Sequence, residues 1–256
     1  MPEIAVIGGT GIYYPKMLGA IREINAKNRY GEVTISVGTY GNKEIAFLPR
    51  HGSKHNLPPH LINYRANIAA LQNMGIKKIL ASATVGSLRP DFQPGDLILA
   101  SQLLDFTKNR AASFQSRGYK EEYIRCSPEP YCSGLRQALE TSSRIIGKEV
   151  KNGGVYVCTE GPRFETAAEI RMFQKLGGDL VGMTSVPEVN LAREAGMCYA
   201  NVCLVSNMGA GLTTEVLNQS EIVHHMRSGI RHMRSVLLEA ALRLNGEICC
   251  SCRGPG

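Results

Sequence analysis

The stretch "GVYVCTEGPRFETAAEIRMFQKLGGDLVGMTSVPEVNLAREAGMCYANVCLVSN", residues 154–207, changes its hydrophobic period several times. Apolar runs at 154–160, 179–185 and 202–205 have the length and composition of buried strands. Between them, 166–177 and 186–196 carry apolar residues at helical spacing, and each segment closes on a glycine, Gly177 and Gly196. Strand followed by helix followed by strand predicts an α/β fold with a largely parallel central sheet.

Working outward, "SEIVHHMRSGIRHMRSVLLEAALRL" (220–244) reads as a long C-terminal helix. The amino-terminal half repeats the alternation. Residues 3–11, "EIAVIGGTG", form a strand running into a glycine turn. Residues 33–48, "VTISVGTYGNKEIAFL", are two alternating strands around Tyr40-Gly41-Asn42, a hairpin signal that makes the sheet mixed. "NYRANIAALQNMG" (63–75) has helical spacing and stops at a glycine, and the segments at 77–87 and 96–106 are apolar strands. No repeat or linker interrupts the chain, so residues 1–256 read as a single domain with a flexible Cys-rich tail at 247–256.

Bulk numbers narrow the function. The 256 residues are 43% hydrophobic, enough for one large core, and no apolar run is long enough to span a membrane. The amino terminus lacks the pattern of a signal peptide, so a cytoplasmic location is expected. The formal charge of +7 suits a solvated basic surface or an anionic small substrate. Nucleic acid is disfavoured, because no Lys/Arg block exceeds two residues and no aromatic stripe interleaves them. Of eight cysteines, Cys158, Cys198 and Cys203 sit in apolar runs and read as core. Cys126 and Cys132 flank "SPEPY", while Cys249, Cys250 and Cys252 crowd the tail. No second ligand pair lies near Cys250-Ser251-Cys252 in sequence, so no metal site is expected; a stapling disulfide and a frayed tail with free thiols both remain open.

In α/β folds ligands bind at the carboxyl ends of strands. Gly8-Gly9-Thr10-Gly11 offers backbone N–H groups and a hydroxyl, an anion cradle or simply a tight turn. It matches neither the dinucleotide fingerprint nor a phosphate-binding P-loop, which leaves a non-catalytic dinucleotide binder as a remote alternative. Arg50, His51, Lys54 and His55 form either a solvated loop or an oxyanion clamp. Ser82-Ala83-Thr84 and Met183-Thr184-Ser185 end two more strands in small polar residues. Glu165, after Phe164, is either a first-turn acid complementing a helix dipole or a functional carboxylate. Together these ends describe a pocket for a tetrahedral oxyanion held by neutral donors and one or two cations.

"IGGTGIY" (7–13), "RHG" (50–52), "PPHLINYRANI" (58–68), "GSLRPDFQPGDLILASQLLDFT" (86–107) and "EGPRFETAAEIRMFQKLGGDLVGMTSVPEVNLAREAG" (160–196), with the segment ending in Asn207, resemble the trimer-forming purine nucleoside and methylthioadenosine phosphorylases. The resemblance runs from residue 4 to about 245. It implies cleavage of a nucleoside N-glycosidic bond by inorganic phosphate, a co-substrate, with no cofactor and no metal. By matching motif positions, it implies phosphate contacts from Thr10, Arg50, His51, Ala83, Thr84 and Thr184. Met183 is expected under the ribose and Phe164 on the base, with Glu165 and Asn207 reading the base edge as the catalytic pair. Met208, Gly209 and Ser220 complete the expected substrate contacts. His55 and the loop from Tyr123 to Cys132 are expected near the pocket or a subunit boundary, in a homotrimer or a hexamer of two trimers.

The resemblance also bears on which base. Its adenine-selective branch usually has Ser at position 165 and Asp at position 207. A carboxylate only accepts, whereas an amide donates and accepts. Glu165 can accept from N1–H of a 6-oxopurine and Asn207 can donate to O6 or N7. The expected activity is therefore phosphorolysis of inosine, guanosine or 5'-methylthioinosine in purine salvage. S-methyl-5'-thioadenosine phosphorylase is the alternative.

Overall fold

The computed structural model describes residues 1–9, 12, 17–115, 128–213, 219–246, 250 and 252, with residues 219–225 described by their backbone alone. Apolar runs become strands where both faces are covered. β1 (Ile4–Gly8), β5 (Lys78–Ser87) and β9 (Cys198–Met208) are such strands, and they lie parallel, β1 beside β5 and β5 beside β9. The predicted hairpin is present as β3 (Gly31–Tyr40) and β4 (Lys43–Pro49), antiparallel, with β4 parallel to β1.

β6 (Leu97–Phe106), β7 (Lys151–Thr159) and β8 (Leu180–Gly182) complete the sheet. β8 pairs antiparallel to the end of β5 and parallel to β7, β7 is parallel to β6, and β6 is antiparallel to β9. Because β9 also pairs with β5, these five strands close into a ring. The order across the described residues is β2-β3-β4-β1-β5-β8-β7-β6-β9. The mixed α/β sheet read from sequence is present.

Helices cover both faces. α1 (Tyr64–Asn73) and α4 (Glu188–Glu194) bury Ile68, Leu71, Val189 and Leu191 in one apolar layer. α2 (Ser133–Ile145) and α5 (Gln219–Arg243) bury Leu135, Leu139, Met233 and Leu237 in the other. Each such side chain contributes about 1.5–3 kcal/mol on leaving water. α3 (Ala167–Lys175) packs Ile170 and Phe173 on Val157 and Val181. It starts in a capping box between Thr166 and Glu169 and ends where Gly177, at φ +83°, lets Gly178 N–H reach back to Phe173 O.

Two elements escaped the sequence reading. β2 (Gly19–Asn28) is an edge strand, exposed over most of its length, so it carries little apolar alternation. α2 buries Leu135 and Leu139 one turn apart, a short signal next to the "SPEPY" loop.

Candidate active site

The carboxyl ends of β1, β4, β5, β8 and β9 open into one cavity of about 600 Å³. Gly9 stands at the end of β1, and Arg50 and His51 follow β4. Ala83 and Thr84 line it from β5. Phe164 and Glu165 enter from the loop before α3, and Met183 and Thr184 from the turn after β8. Asn207, Met208 and Gly209 close it from the end of β9. The fold thus gathers eleven of the thirteen residues singled out in the sequence. The other two, Thr10 and the Ser220 side chain, lie outside the described residues, as do Cys126, Cys249 and residues 123–127. Of the described end of the 123–132 loop, residues 128–132, none lines the cavity, but the buried Tyr131 hydroxyl lies 2.6 Å from Ser185 Oγ, next to Thr184. His55 does not line it either, but its ring packs on His51 with centroids 4.9 Å apart.

Arg50 is 1% exposed, and its charge is compensated. Nε and Nη2 donate to Glu188 at 2.6 and 2.7 Å, and Nη1 donates to Ser82 O at 2.7 Å. Tyr199 hydroxyl donates to Glu188 at 2.8 Å. Burial pushes the guanidinium pKa down, but the Glu188 carboxylate outweighs it and the net shift is upward. Two of the five N–H donors are then left to face the cavity. Glu188 and Tyr199 were not singled out in the sequence. They lie on α4 and β9, and only the fold brings them to Arg50.

His51 Nδ1 lies 2.8 Å from Leu57 O, which can only accept, so Nδ1 carries the proton and Nε2 is left with a lone pair. Burial, opposed by that carbonyl and assisted by Arg50 and His55, lowers the ring pKa below 6.5. A neutral His51 therefore offers an acceptor beside Gly9.

Asn207 owes its placement to a bulge. β5 and β9 run in register to Val85↔Val205, and then Gly86 pairs with Asn207, leaving Ser206 as an extra residue. Ser206 and Asn207 consequently both reach the cavity. Ser206 hydroxyl lies 2.6 Å from Asn207 Oδ1, and Asn207 Nδ2 donates to Met208 O at 2.9 Å. A flipped amide would set two oxygens against each other at Met208, so the orientation is fixed by the chain. The second Nδ2 hydrogen is left over. Glu165 Oε1 accepts from Thr159 hydroxyl at 2.6 Å, which leaves Oε2 as an acceptor.

Arg110 holds the cavity wall beside Met183 together, and nothing in its sequence neighbourhood announces this. It donates from Nη1 to Met183 O and Val186 O at 2.7 and 2.6 Å, and from Nη2 to Glu160 O at 2.7 Å. One cation thus ties the end of β7 to the turn after β8. Gly182 is required beside it, because a Cβ there would collide with the Tyr156 hydroxyl.

The cavity thus brings together the spare N–H groups of Arg50, the side chains of Thr84 and Thr184, the spare N–H of Asn207 and the spare carboxylate oxygen of Glu165. A family model described as "Phosphorylase superfamily" matches residues 3–243. The chain is 45% identical over 259 residues to the "6-oxopurine nucleoside phosphorylase" of Pyrococcus furiosus, covering 99% of this chain and 97% of that protein. It is 44% identical over 253 residues to the "Probable S-methyl-5'-thioinosine phosphorylase" of Methanothermobacter thermautotrophicus, covering 98% of this chain and 87% of that protein. In structure it superposes with a TM-score of 0.87 on a methylthioadenosine phosphorylase sourced from an antarctic soil metagenomic library, at 30% identity, covering 94% of this chain and 85% of that one.

Proposed function

The chain belongs to the phosphorylase superfamily, and from that premise we propose that it is a 6-oxopurine nucleoside phosphorylase. It transfers the pentosyl group of inosine, guanosine or 5'-methylthioinosine to inorganic phosphate and releases the free base. The observation that carries this reading is the fixed pair at the base end. Asn207 keeps a spare N–H and Glu165 a spare carboxylate oxygen. A 6-oxopurine offers O6 or N7 to the former and N1–H to the latter. A 6-aminopurine would leave Glu165 facing the N1 lone pair.

At the other end Arg50, His51, Thr84 and Thr184 receive phosphate. Arg50 presents its two spare N–H groups, and His51 Nε2 accepts from a phosphate O–H. The C1′–N9 bond breaks with its electron pair passing into the purine, as a phosphate oxygen bonds to C1′. The Asn207 amide stabilises the charge that develops on the base, and the leaving base takes a proton from solvent at N7. Such preorganised donors are commonly the largest catalytic contribution. Phosphate is a co-substrate, and the proposed chemistry requires no organic cofactor. The enzyme is proposed to act in the cytoplasm in purine salvage, as a trimer or a hexamer of trimers.

A substrate panel tests this. Inosine, guanosine, 5'-methylthioinosine, adenosine and 5'-methylthioadenosine are scored for base release with and without phosphate. Phosphate-dependent release of hypoxanthine or guanine well above adenine is expected. Preferential release of adenine would refute the base assignment.

A further inference from the structure

The amino end of β9 carries a second constellation, about 30 Å along the strand from Asn207. Cys198 opens β9, Cys132 is the N-cap of α2, and Cys250 and Cys252 come from the tail. Their four Sγ atoms all lie within 4.8 Å of one another, and Cys198 Sγ is 3.4 Å from Cys250 Sγ. Cys132, Cys198 and Cys252 are buried, Cys250 is half-buried, and all four are free thiols. We propose that these four cysteines form a tetrathiolate site for a soft divalent metal ion of the zinc class, which fastens the tail to β9 and α2.

Geometry is the first support. A tetrahedral zinc ion with Zn–S bonds of about 2.3 Å places its sulfurs about 3.8 Å apart, the size of this cluster. The donor set is all sulfur, which selects zinc and other thiophilic ions over magnesium or calcium. Cys250 and Cys252 supply a C-x-C pair, and the fold brings the other two ligands from far away in sequence.

Charge is the second support. Binding one divalent ion releases four thiol protons to solvent and leaves the cluster with a net charge of −2. Lys78 is the register neighbour of Cys198 on β5, is buried, and donates to Gly246 O at 2.6 Å. Lys43 feels Lys78 and donates to Leu244 O. Arg193 acts electrostatically on Cys252, and its Nη1 is buried with no hydrogen-bond partner among the described residues. None of these three cations forms an ion pair among the described residues. A dianionic metal–thiolate cluster gives them a counter-charge. Two disulfides, the alternative state of the same sulfurs, are neutral and do not.

The test uses the full chain, purified anaerobically with a thiol reductant. Elemental analysis is expected to give about one zinc per chain, and the denatured intact mass to be that of fully reduced cysteines. A strong chelator is expected to lower the melting temperature, and a reductant alone to leave it unchanged. Metal-stripped protein titrated with Co²⁺ is expected to develop tetrahedral tetrathiolate absorption at one equivalent. In a Cys250→Ser/Cys252→Ser variant, zinc content is expected to fall at least about 10-fold. Metal-free preparations that give no cobalt–thiolate absorption would overturn the proposal. So would an intact mass four hydrogens lighter, with a melting temperature that responds to reductant but not to chelator. The cobalt titration on the unaltered chain decides the matter even if the double variant fails to fold.

Discussion

Asn207 is where one atom decides the chemistry. Asn207→Asp keeps the shape but replaces the spare N–H with a second acceptor, so it is expected to favour a 6-amino group over a 6-oxo group. The ratio of kcat/KM for inosine to that for adenosine is expected to fall at least about 100-fold, and an unchanged ratio would remove Asn207 from base selection. Glu188 supports the opposite end. Glu188→Gln leaves the buried Arg50 charge without its anion, which is expected to cost about 3–5 kcal/mol in urea unfolding and to raise the KM for phosphate. His51 sets a pH dependence. Its folded pKa lies below 6.5, so under mild acid the unfolded chain binds a proton that the native chain refuses. The stability associated with the neutral ring is whole above 6.5 and declines as pH falls through 6.5 towards the folded value. Urea midpoints from about pH 7.5 to about pH 5.5 are expected to fall more for the unaltered chain than for His51→Gln.

The elements matter through their ends. The β9 bulge turns two consecutive side chains into the cavity, and Ser206 uses its position to hold the Asn207 amide. Ser206→Ala is expected to lower kcat/KM for inosine about 10-fold while changing stability by less than about 1 kcal/mol. α3 positions Phe164 and Glu165 through its capping box, which Arg163 extends by pairing with Glu169 at 2.7 Å. That pairing, then the Thr166 N–H, holds the Glu169 carboxyl near pKa 2. Thr166→Ala is expected to cost about 1 kcal/mol in denaturant unfolding and to raise the KM for nucleoside. Strands such as β1, β5 and β9 were legible because burial on both faces demands continuous apolar sequence, and α3 because its cap and closing glycine are local signals. β2 was not, since an exposed edge needs no apolar pattern. Arg50, Glu165 and Asn207 were legible because strand ends and family motifs mark them. The partnership of Arg50 with Glu188 and Tyr199, the wall held by Arg110, and the convergence of Cys132 and Cys198 on the tail were not, because long-range contacts leave no spacing to read.

At the scale of the whole molecule, Phe164 lines the cavity and is nonetheless 84% exposed. An aromatic ring offered to water beside a binding site suits a contact completed by a second copy, in keeping with the proposed trimer. Light scattering coupled to size exclusion is expected to give three or six chains, and Phe164→Ala to weaken nucleoside binding without changing the phosphate KM. No helix among the described residues is long and apolar enough to cross a membrane.

The ring closed by β9 has a further result. With β9 engaged on both sides, β2 is the sole unpaired border of the sheet among the described residues. It is guarded by Arg22, Glu23 and Lys27, and its ladder with β3 breaks between Gly19 and Arg22. Extending the backbone ladder from molecule to molecule without limit needs two open borders on every copy. Among the described residues this topology supplies one, and through those residues edge-to-edge growth ends at a pair.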